Sequence, residues 1–164
     1  MENIIGFYKP DEVNGYMGNW YISPFEKDGV VYTSMEQYMM YQKAKLFGNM
    51  DIAEEILSTD DVQKIKALGR AVQNYNDTVW NGLRQIIVFE GLIEKFKQNK
   101  DLRTKLLSTG DTVLSECAVH DRIWGIGLSM NDPKRLDMQN WRGQNLLGFS
   151  LMRVRSILKV EKSK

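Results

Sequence analysis

The sequence predicts a single α+β domain over residues 1–164, in which a small amino-terminal β-hairpin or sheet packs on a predominantly helical core. Residues 4–33 hold short apolar segments separated by turn residues, and the rest of the chain repeats apolar residues mostly at helical spacing. The 164 residues, 43% hydrophobic and 26% charged, have the size and composition of one globular domain. We find no repeat or linker that would divide the chain.

The β-part is predicted from its turn residues. Residues 4–8 form a short apolar segment that ends at Lys9-Pro10. Two further segments, 21–26 and 30–33, flank Lys27-Asp28-Gly29, and Asp-Gly tolerates the positive φ angles of a tight turn. This pattern predicts a hairpin that leads directly into the first helix.

The first helix is predicted from its capping residues. Ser34 is a favourable N-cap, Gln37 completes a capping box, and the helix should therefore begin at Met35. At about 100° per residue, Glu36 and Lys43 share one face, and they lie roughly 10 Å apart along the helix axis. They are either two solvated charges of an amphipathic helix or a carboxylate and an amine that bind one small molecule from two sides.

The remaining elements follow from apolar stripes and caps. Helices are predicted at residues 51–58, 62–68, 78–99, 102–107 and 146–158, with a short strand at 113–118. We expect Gly69 to end the second of these helices and the Asn145 side chain to cap the last one. The predicted core stripe of the long helix consists of Val79, Leu83, Ile86, Ile87, Phe89, Ile93 and Phe96. The polar tail, residues 161–164, is expected to be frayed.

Composition excludes several classes of function. A net charge of +1 argues against a protein that holds nucleic acid mainly by neutralising phosphates. Cys117 is the sole cysteine and His120 the sole histidine, so we expect no disulfide, no metal and no cofactor. No segment has the signal-peptide pattern or the roughly 20 apolar residues of a membrane span. We therefore expect a cytoplasmic protein that binds no membrane, and we leave its oligomeric state open.

Two later features combine residues suited to ligand binding, each with an ordinary structural alternative. Trp80 and Arg84 are four residues apart on one helix face, where they could stack on a flat ring and bind an anion, or Trp80 could simply fill the core. Residues 120–127 form a polar, aromatic and glycine-containing loop. A loop of this composition is costly to order and is typical of a functional segment, and the structural alternative is that Asp121 pairs with Arg122 or caps a turn.

Taken in order, these motifs resemble the NADAR family, also called the YbiA-like N-glycosidase family, from about residue 5 to residue 158. The matching residues are Gly18-Asn19-Trp20; Ser34, Glu36 and Lys43-Ala44; Gly69-Arg70; Trp80 and Arg84; Glu116, Asp121, Trp124-Gly125 and Gly127; and Gly143, Asn145 and Leu147-Gly148. Each match alone is weak, but all of them in one order at compatible spacing make chance agreement improbable.

The resemblance implies hydrolysis of an N-glycosidic bond at the anomeric carbon of a ribose. It implies catalytic roles for Glu36 and Asp121, as general acid and base in either order, and for Lys43, as an amine that forms an imine with the sugar. The substrate-binding residues that it implies are Asn19, Trp20, Arg70, Trp80, Arg84, Trp124, Gly125 and Asn145.

The resemblance leaves the substrate open. One alternative is a phosphoribosylamino-pyrimidine intermediate of riboflavin biosynthesis, and another is ADP-ribosylated guanine, so that nucleic acid enters only as an ADP-ribosylated substrate. The near-neutral charge favours the small molecule. A binding module for ADP-ribose or another nucleotide without turnover, and a structural helical protein, are the further alternatives.

Overall fold

The computed structural model describes residues 3–162, and six α-helices and four β-strands lie within them. In chain order these are β1 (Ile4–Phe7), β2 (Ile22–Lys27), β3 (Val30–Ser34), α1 (Met35–Leu46), α2 (Met50–Leu57), α3 (Val62–Arg70), α4 (Asp77–Gln98), α5 (Lys100–Ser108), β4 (Val113–Glu116) and α6 (Leu146–Lys162). The α+β class and the excess of helix are confirmed. Two compact units are distinguished: residues Asn19–Asn99 form one, and the residues up to Gly18 together with those from Lys100 onward form the other.

In the unit of residues 19–99, the predicted hairpin is confirmed. Strand β2 pairs antiparallel with β3, and Lys27 lies opposite Val30. Asp28 and Gly29 form the two-residue turn with φ angles of 53° and 80°, the left-handed region that Gly and Asp tolerate best. The hairpin packs on α1 and α4, as the sequence predicted.

The core of this unit is built on aromatic rings. Phe25, Tyr32 and Tyr38 lie with their ring centres 5.2–5.7 Å apart, and each is at most 2% exposed. The Tyr38 hydroxyl donates to the Ile87 carbonyl of α4 at 2.8 Å. A buried phenol needs such a partner, so this bond fixes α1 against α4.

The predicted core stripe of α4 is largely wrong. Val79, Leu83 and Ile86 are between 37% and 56% exposed. The buried positions of this helix are instead Trp80, Val88, Gly91, Leu92, Lys95 and Phe96, and only Phe96 belongs to both sets. Because α4 carries apolar residues on several faces, the sequence pattern did not define which face is buried.

Gly69 lies inside α3 and does not cap it. The cap position is Ala71, whose amide donates to the carbonyls of Ala67 and Leu68. A Cβ atom at Gly69 would collide with the side chain of Met40. The glycine is therefore required for the close approach of α3 to α1 rather than for a turn.

In the other unit, β1 pairs parallel with β4, and Ile4 lies opposite Val113. Helix α6 packs on β4 and α5. Its predicted inward-facing residues are confirmed as fully buried: Leu147, Leu151, Val154 and Leu158. Helix α6 continues to Lys162, so the prediction of a frayed tail is wrong for residues 161–162. Residues 163–164, to which the same prediction applied, lie outside the described residues.

Among residues 3–162, no helix combines the length and the apolar character of a membrane span. The same part of the chain holds no group of three or more His, Cys, Asp or Glu residues arranged to bind a metal ion. The cytoplasmic location stays a prediction.

Candidate active site

Helix α1 begins as its capping residues require. The Ser34 hydroxyl accepts from the Gln37 amide at 3.1 Å. The Gln37 side chain accepts from the Thr33 amide at 2.7 Å, one residue before the amide that a capping box would use. The Glu36 amide donates to the Asn19 carbonyl at 2.8 Å. These bonds satisfy amides that the first helical turn otherwise leaves open, and they fix the position of Glu36.

The Glu36 side chain is buried, with the residue 4% exposed, and that of Lys43 is half-buried. The structure therefore excludes the alternative of two freely solvated charges. Burial lowers the pKa of Lys43, the Glu36 carboxylate raises it, and the Arg70 guanidinium lowers it again. Because burial has the largest effect, Lys43 is neutral in a larger fraction of molecules than an exposed lysine would be.

The amine of Lys43 is held at the carboxyl end of α3. Its Nζ donates to the Gly69 carbonyl at 2.8 Å. The last carbonyls of a helix lack intrahelical partners and carry partial negative charge, so an amine binds there favourably. The amide of Gln73, four residues after Gly69, donates to the Asn49 side chain instead.

Two aromatic rings flank the same amine. Nζ of Lys43 lies 4.6 Å from the ring centre of Tyr75 and 5.9 Å from that of Trp80. Both distances are within the range of cation–π attraction. Trp80 is 6% exposed, so the prediction that it fills the core and the prediction that it lines the site are compatible.

Besides Oγ of Ser23, two buried polar atoms of this unit have no hydrogen-bond partner among the described residues. One is Oδ1 of Asn19, a residue that is 7% exposed, and the other is Nε of Arg84. The Nη1 atom of Arg84 donates to the Asn81 side chain at 2.9 Å. A buried acceptor and a buried donor without partners cost stability, so their presence is more readily understood if a ligand satisfies them.

The other two predicted binding residues of this unit lie nearer to solvent. Trp20 is half-buried, and the Lys66 amine lies 5.6 Å from its ring centre. Arg70 is exposed at the end of α3.

In the other unit, Asp121 shapes its own loop. Its Oδ1 accepts from the amides of Ile123 at 2.9 Å and Trp124 at 2.8 Å. This is the turn-capping alternative that the sequence left open, and a catalytic role for Asp121 stays a prediction. Trp124 is half-buried. A Cβ atom at Gly125 would lie 2.9 Å from the Glu116 carbonyl oxygen, so only glycine fits there without displacement.

Asn145 is a structural residue in this geometry. Its Nδ2 donates to the Leu114 carbonyl at 2.9 Å, and its Oδ1 accepts from the Glu116 amide at 3.1 Å. The side chain thus pairs with β4 instead of capping α6, which corrects the predicted cap. Its φ angle of 52° is one that asparagine tolerates better than most residues. A substrate-binding role for Asn145 stays a prediction.

The unit of residues 19–99 thus brings together several predicted residues around the Lys43 amine, namely Glu36, Arg70 and Trp80. Sequence reasoning missed Tyr75 and the Gly69 carbonyl. Tyr75 stands in an irregular segment between two asparagines, where no periodicity indicates its contact. A backbone acceptor has no sequence signal at all.

Comparison with known proteins identifies the class. A model of the NADAR domain matches residues 6–159. The solution structure of the Escherichia coli protein YbiA superposes with a TM-score of 0.82 at 28% sequence identity, covering 99% of this chain and 89% of YbiA. The chain belongs to the NADAR domain family.

Two relatives carry informative names. The N-glycosidase R617 of Acanthamoeba polyphaga mimivirus is 45% identical over 124 residues, which are 76% of this chain and 73% of that protein. The riboflavin biosynthesis protein VVA0006 of Vibrio vulnificus is 34% identical over 158 residues, which are 96% of this chain but 39% of that protein.

Proposed function

We propose that this protein is an N-glycosidase that hydrolyses the N-glycosidic bond of a ribosylamine-type nucleotide, such as a phosphoribosylamino-pyrimidine. A hydrolase acting on N-glycosyl compounds is supported by the names of the relatives R617 and YbiA. The observation that carries the proposal is the half-buried amine of Lys43, whose pKa is lowered, on the same helix as the buried carboxyl group of Glu36.

The chemistry requires a nucleophile at the anomeric carbon and proton transfer at the leaving nitrogen. In the ring-opened substrate this carbon is bound to the base nitrogen as an imine. The neutral amine of Lys43 adds to the carbon, the bond to the base nitrogen breaks, and both amine protons end on the departing base. Water then hydrolyses the lysine imine, which releases the sugar aldehyde and restores the amine.

Glu36 is suited to carry the protons between these groups. Its negative charge partly offsets the effect of burial on the pKa of the Lys43 amine, which stays lowered overall. Its backbone is fixed by the Asn19 carbonyl, so the carboxyl group starts from a defined position. Positioned proton transfer contributes about 10²–10⁴-fold to such reactions.

We assign substrate recognition to side chains of the same unit. Trp80 supplies an aromatic wall, and Arg70, exposed at the end of α3, supplies a guanidinium for a phosphate group. The partnerless Asn19 Oδ1 accepts from a hydroxyl or amino group of the ligand, and the partnerless Arg84 Nε donates to an oxygen. A ribosylamine nucleotide carries a flat base, a phosphate group, and the hydroxyl, amino and oxygen groups that these side chains would bind.

The small-molecule substrate is favoured by two observations. The Vibrio relative that matches 96% of this chain is named a riboflavin biosynthesis protein. The net charge of +1 provides little general attraction for a nucleic-acid backbone. ADP-ribosylated guanine in an oligonucleotide is the competing substrate, and a direct comparison decides between them.

The test is a hydrolysis assay on both substrates with purified wild-type protein and with Lys43→Met. The matched control is Lys45→Met, which removes an exposed lysine from the same helix. We expect cleavage of the phosphoribosylamino-pyrimidine by wild type and Lys45→Met, and a loss of at least 100-fold in Lys43→Met. Cleavage of the oligonucleotide alone would show that ADP-ribosylated guanine, and not the pyrimidine, is the substrate. Binding of both substrates without cleavage of either would show that the protein is a binding module and not an enzyme.

A further inference from the structure

Tyr75 is a residue of the amine's surroundings to which neither the motifs nor the proposed function assigns a role. It lies in the segment between α3 and α4, directly after Asn74, whose φ angle is 59°. Two bonds hold this segment near the end of α1. Asn49 donates from its side chain to the Gln73 carbonyl at 2.9 Å and accepts from the Gln73 amide at 2.9 Å.

The Tyr75 ring is supported on two sides. It packs edge-on against Phe47, with ring centres 5.4 Å apart and an angle of 65° between the ring planes. Its hydroxyl lies near the Asp77 carboxylate: burial raises the pKa of Tyr75, and the Asp77 carboxylate raises it further. The ring is nevertheless 41% exposed, so it is a supported surface ring and not a core residue.

The ring and a carbonyl group restrain the amine of Lys43 from different sides. A lysine amine is a point charge at the end of a flexible four-carbon chain, and it has no preferred direction of its own. Here Nζ is hydrogen-bonded to the Gly69 carbonyl at 2.8 Å and faces the Tyr75 ring at 4.6 Å. Two such contacts give the amine a defined place, and defined placement of a nucleophile is worth large factors in rate.

We propose that Tyr75 is a positioning residue for Lys43, whose ring face holds the amine at the Gly69 carbonyl in readiness for attack on the anomeric carbon. This inference rests on the proposed function, because it assumes that Lys43 is the nucleophile. The face of the ring carries the role, and the hydroxyl serves only to support the ring through Asp77.

The test compares Tyr75→Phe, which keeps the ring face, with Tyr75→Leu, which keeps apolar bulk without it. We expect Tyr75→Phe to retain kcat within about twofold, and Tyr75→Leu to lose about tenfold in kcat with little change in KM. Tyr8→Leu is the control, since Tyr8 is similarly exposed at 45% and lies in the other unit. A Tyr75→Leu variant with wild-type kcat would overturn the positioning role.

A measurement without substrate separates this inference from the proposed function. The face of an aromatic ring shifts the NMR signals of nearby protons upfield, so the ε-methylene protons of Lys43 should be shifted in wild type and Tyr75→Phe. In Tyr75→Leu they should move most of the way back to ordinary lysine values, because only the more distant Trp80 ring, 5.9 Å from Nζ, remains. An unshifted signal in wild type would overturn the inference itself. A shifted signal in a protein that cleaves neither substrate would confirm the contact between Tyr75 and Lys43 but contradict the proposed function.

Discussion

Replacing Gly69 by alanine tests whether α3 must lie as close to α1 as it does. This close approach places the Gly69 carbonyl at the Lys43 amine. The added Cβ would collide with the side chain of Met40. Overpacking of this kind costs about 1–3 kcal/mol, and the higher helix propensity of alanine returns about 1 kcal/mol. We therefore expect a net loss of up to about 2 kcal/mol in the free energy of unfolding, which lowers Tm by up to about 8 °C in a chain of this size.

Gly82→Ala supplies the matched control for this prediction. Gly82 also lies inside a helix, α4, but a Cβ atom there would meet nothing within 4 Å. Alanine at this position should stabilise the protein by about 0.5–1 kcal/mol, the propensity gain alone. The assay is thermal unfolding followed by circular dichroism, with both variants beside wild type.

A double-mutant cycle identifies the source of the cost. In a Met40→Ala background the colliding side chain is gone, so Gly69→Ala should cease to be destabilising. If Gly69→Ala proves as stable as Gly82→Ala in the wild-type background, the close approach of α3 to α1 is not tight, and the reasoning about the Lys43 acceptor fails with it.

Three further predictions concern single charged or amide groups. Since Arg70 lowers the pKa of Lys43, Arg70→Gln should move the pH midpoint of amine labelling at Lys43 to higher pH, as mapped by mass spectrometry. Burial lowers the pKa of Lys95 to about 7, so the unfolded state binds more protons above pH 7. Stability should then rise by up to roughly 1 kcal/mol per unit between pH 7 and 9, and urea unfolding should show that slope lost in Lys95→Met. Asn145→Gly, which permits the positive φ angle but removes two hydrogen bonds to β4, should lower the free energy of unfolding by about 2–4 kcal/mol; an unchanged urea midpoint would contradict the structural role.

The sequence predicted those parts of the fold that local chemistry determines. The Asp28-Gly29 turn, the Ser34 cap and the start of α1 are specified by neighbouring residues, and the structure has all three. The apolar stripe of α6 also predicted its buried face correctly, because polar residues occupy much of the opposite face.

Long-range packing decided what the sequence could not. Gly69 looked like a helix stop, but its missing side chain serves the contact with α1. Lys95 is absent from the predicted core stripe of the long helix and is fully buried, with its amine 5.2 Å from the Phe96 ring centre. Periodicity cannot foresee either result, because both depend on elements that are distant in the sequence.

The sequence pointed to the candidate reactive groups of the site but not to the contacts that hold them in place. Glu36 and Lys43 follow from helical spacing and from the motif pattern of the family. The contacts of Tyr75 and of the Gly69 carbonyl with the amine exist only once α1, α3 and the following segment are packed. For Asp121 and Asn145 the structure shows roles that the motif pattern does not specify, since their side chains hold a turn and a strand. Their roles toward the substrate stay predictions.

The proposed mechanism requires Lys43 to form a covalent imine with the sugar during turnover. The most direct measurement adds borohydride to wild-type protein turning over a phosphoribosylamino-pyrimidine, followed by mass spectrometry of the intact chain and of its peptides. We expect one reduced sugar phosphate, attached to Lys43 and absent in Lys43→Met. Full hydrolysis with no trapped sugar, or with trapping unchanged in Lys43→Met, would contradict the account.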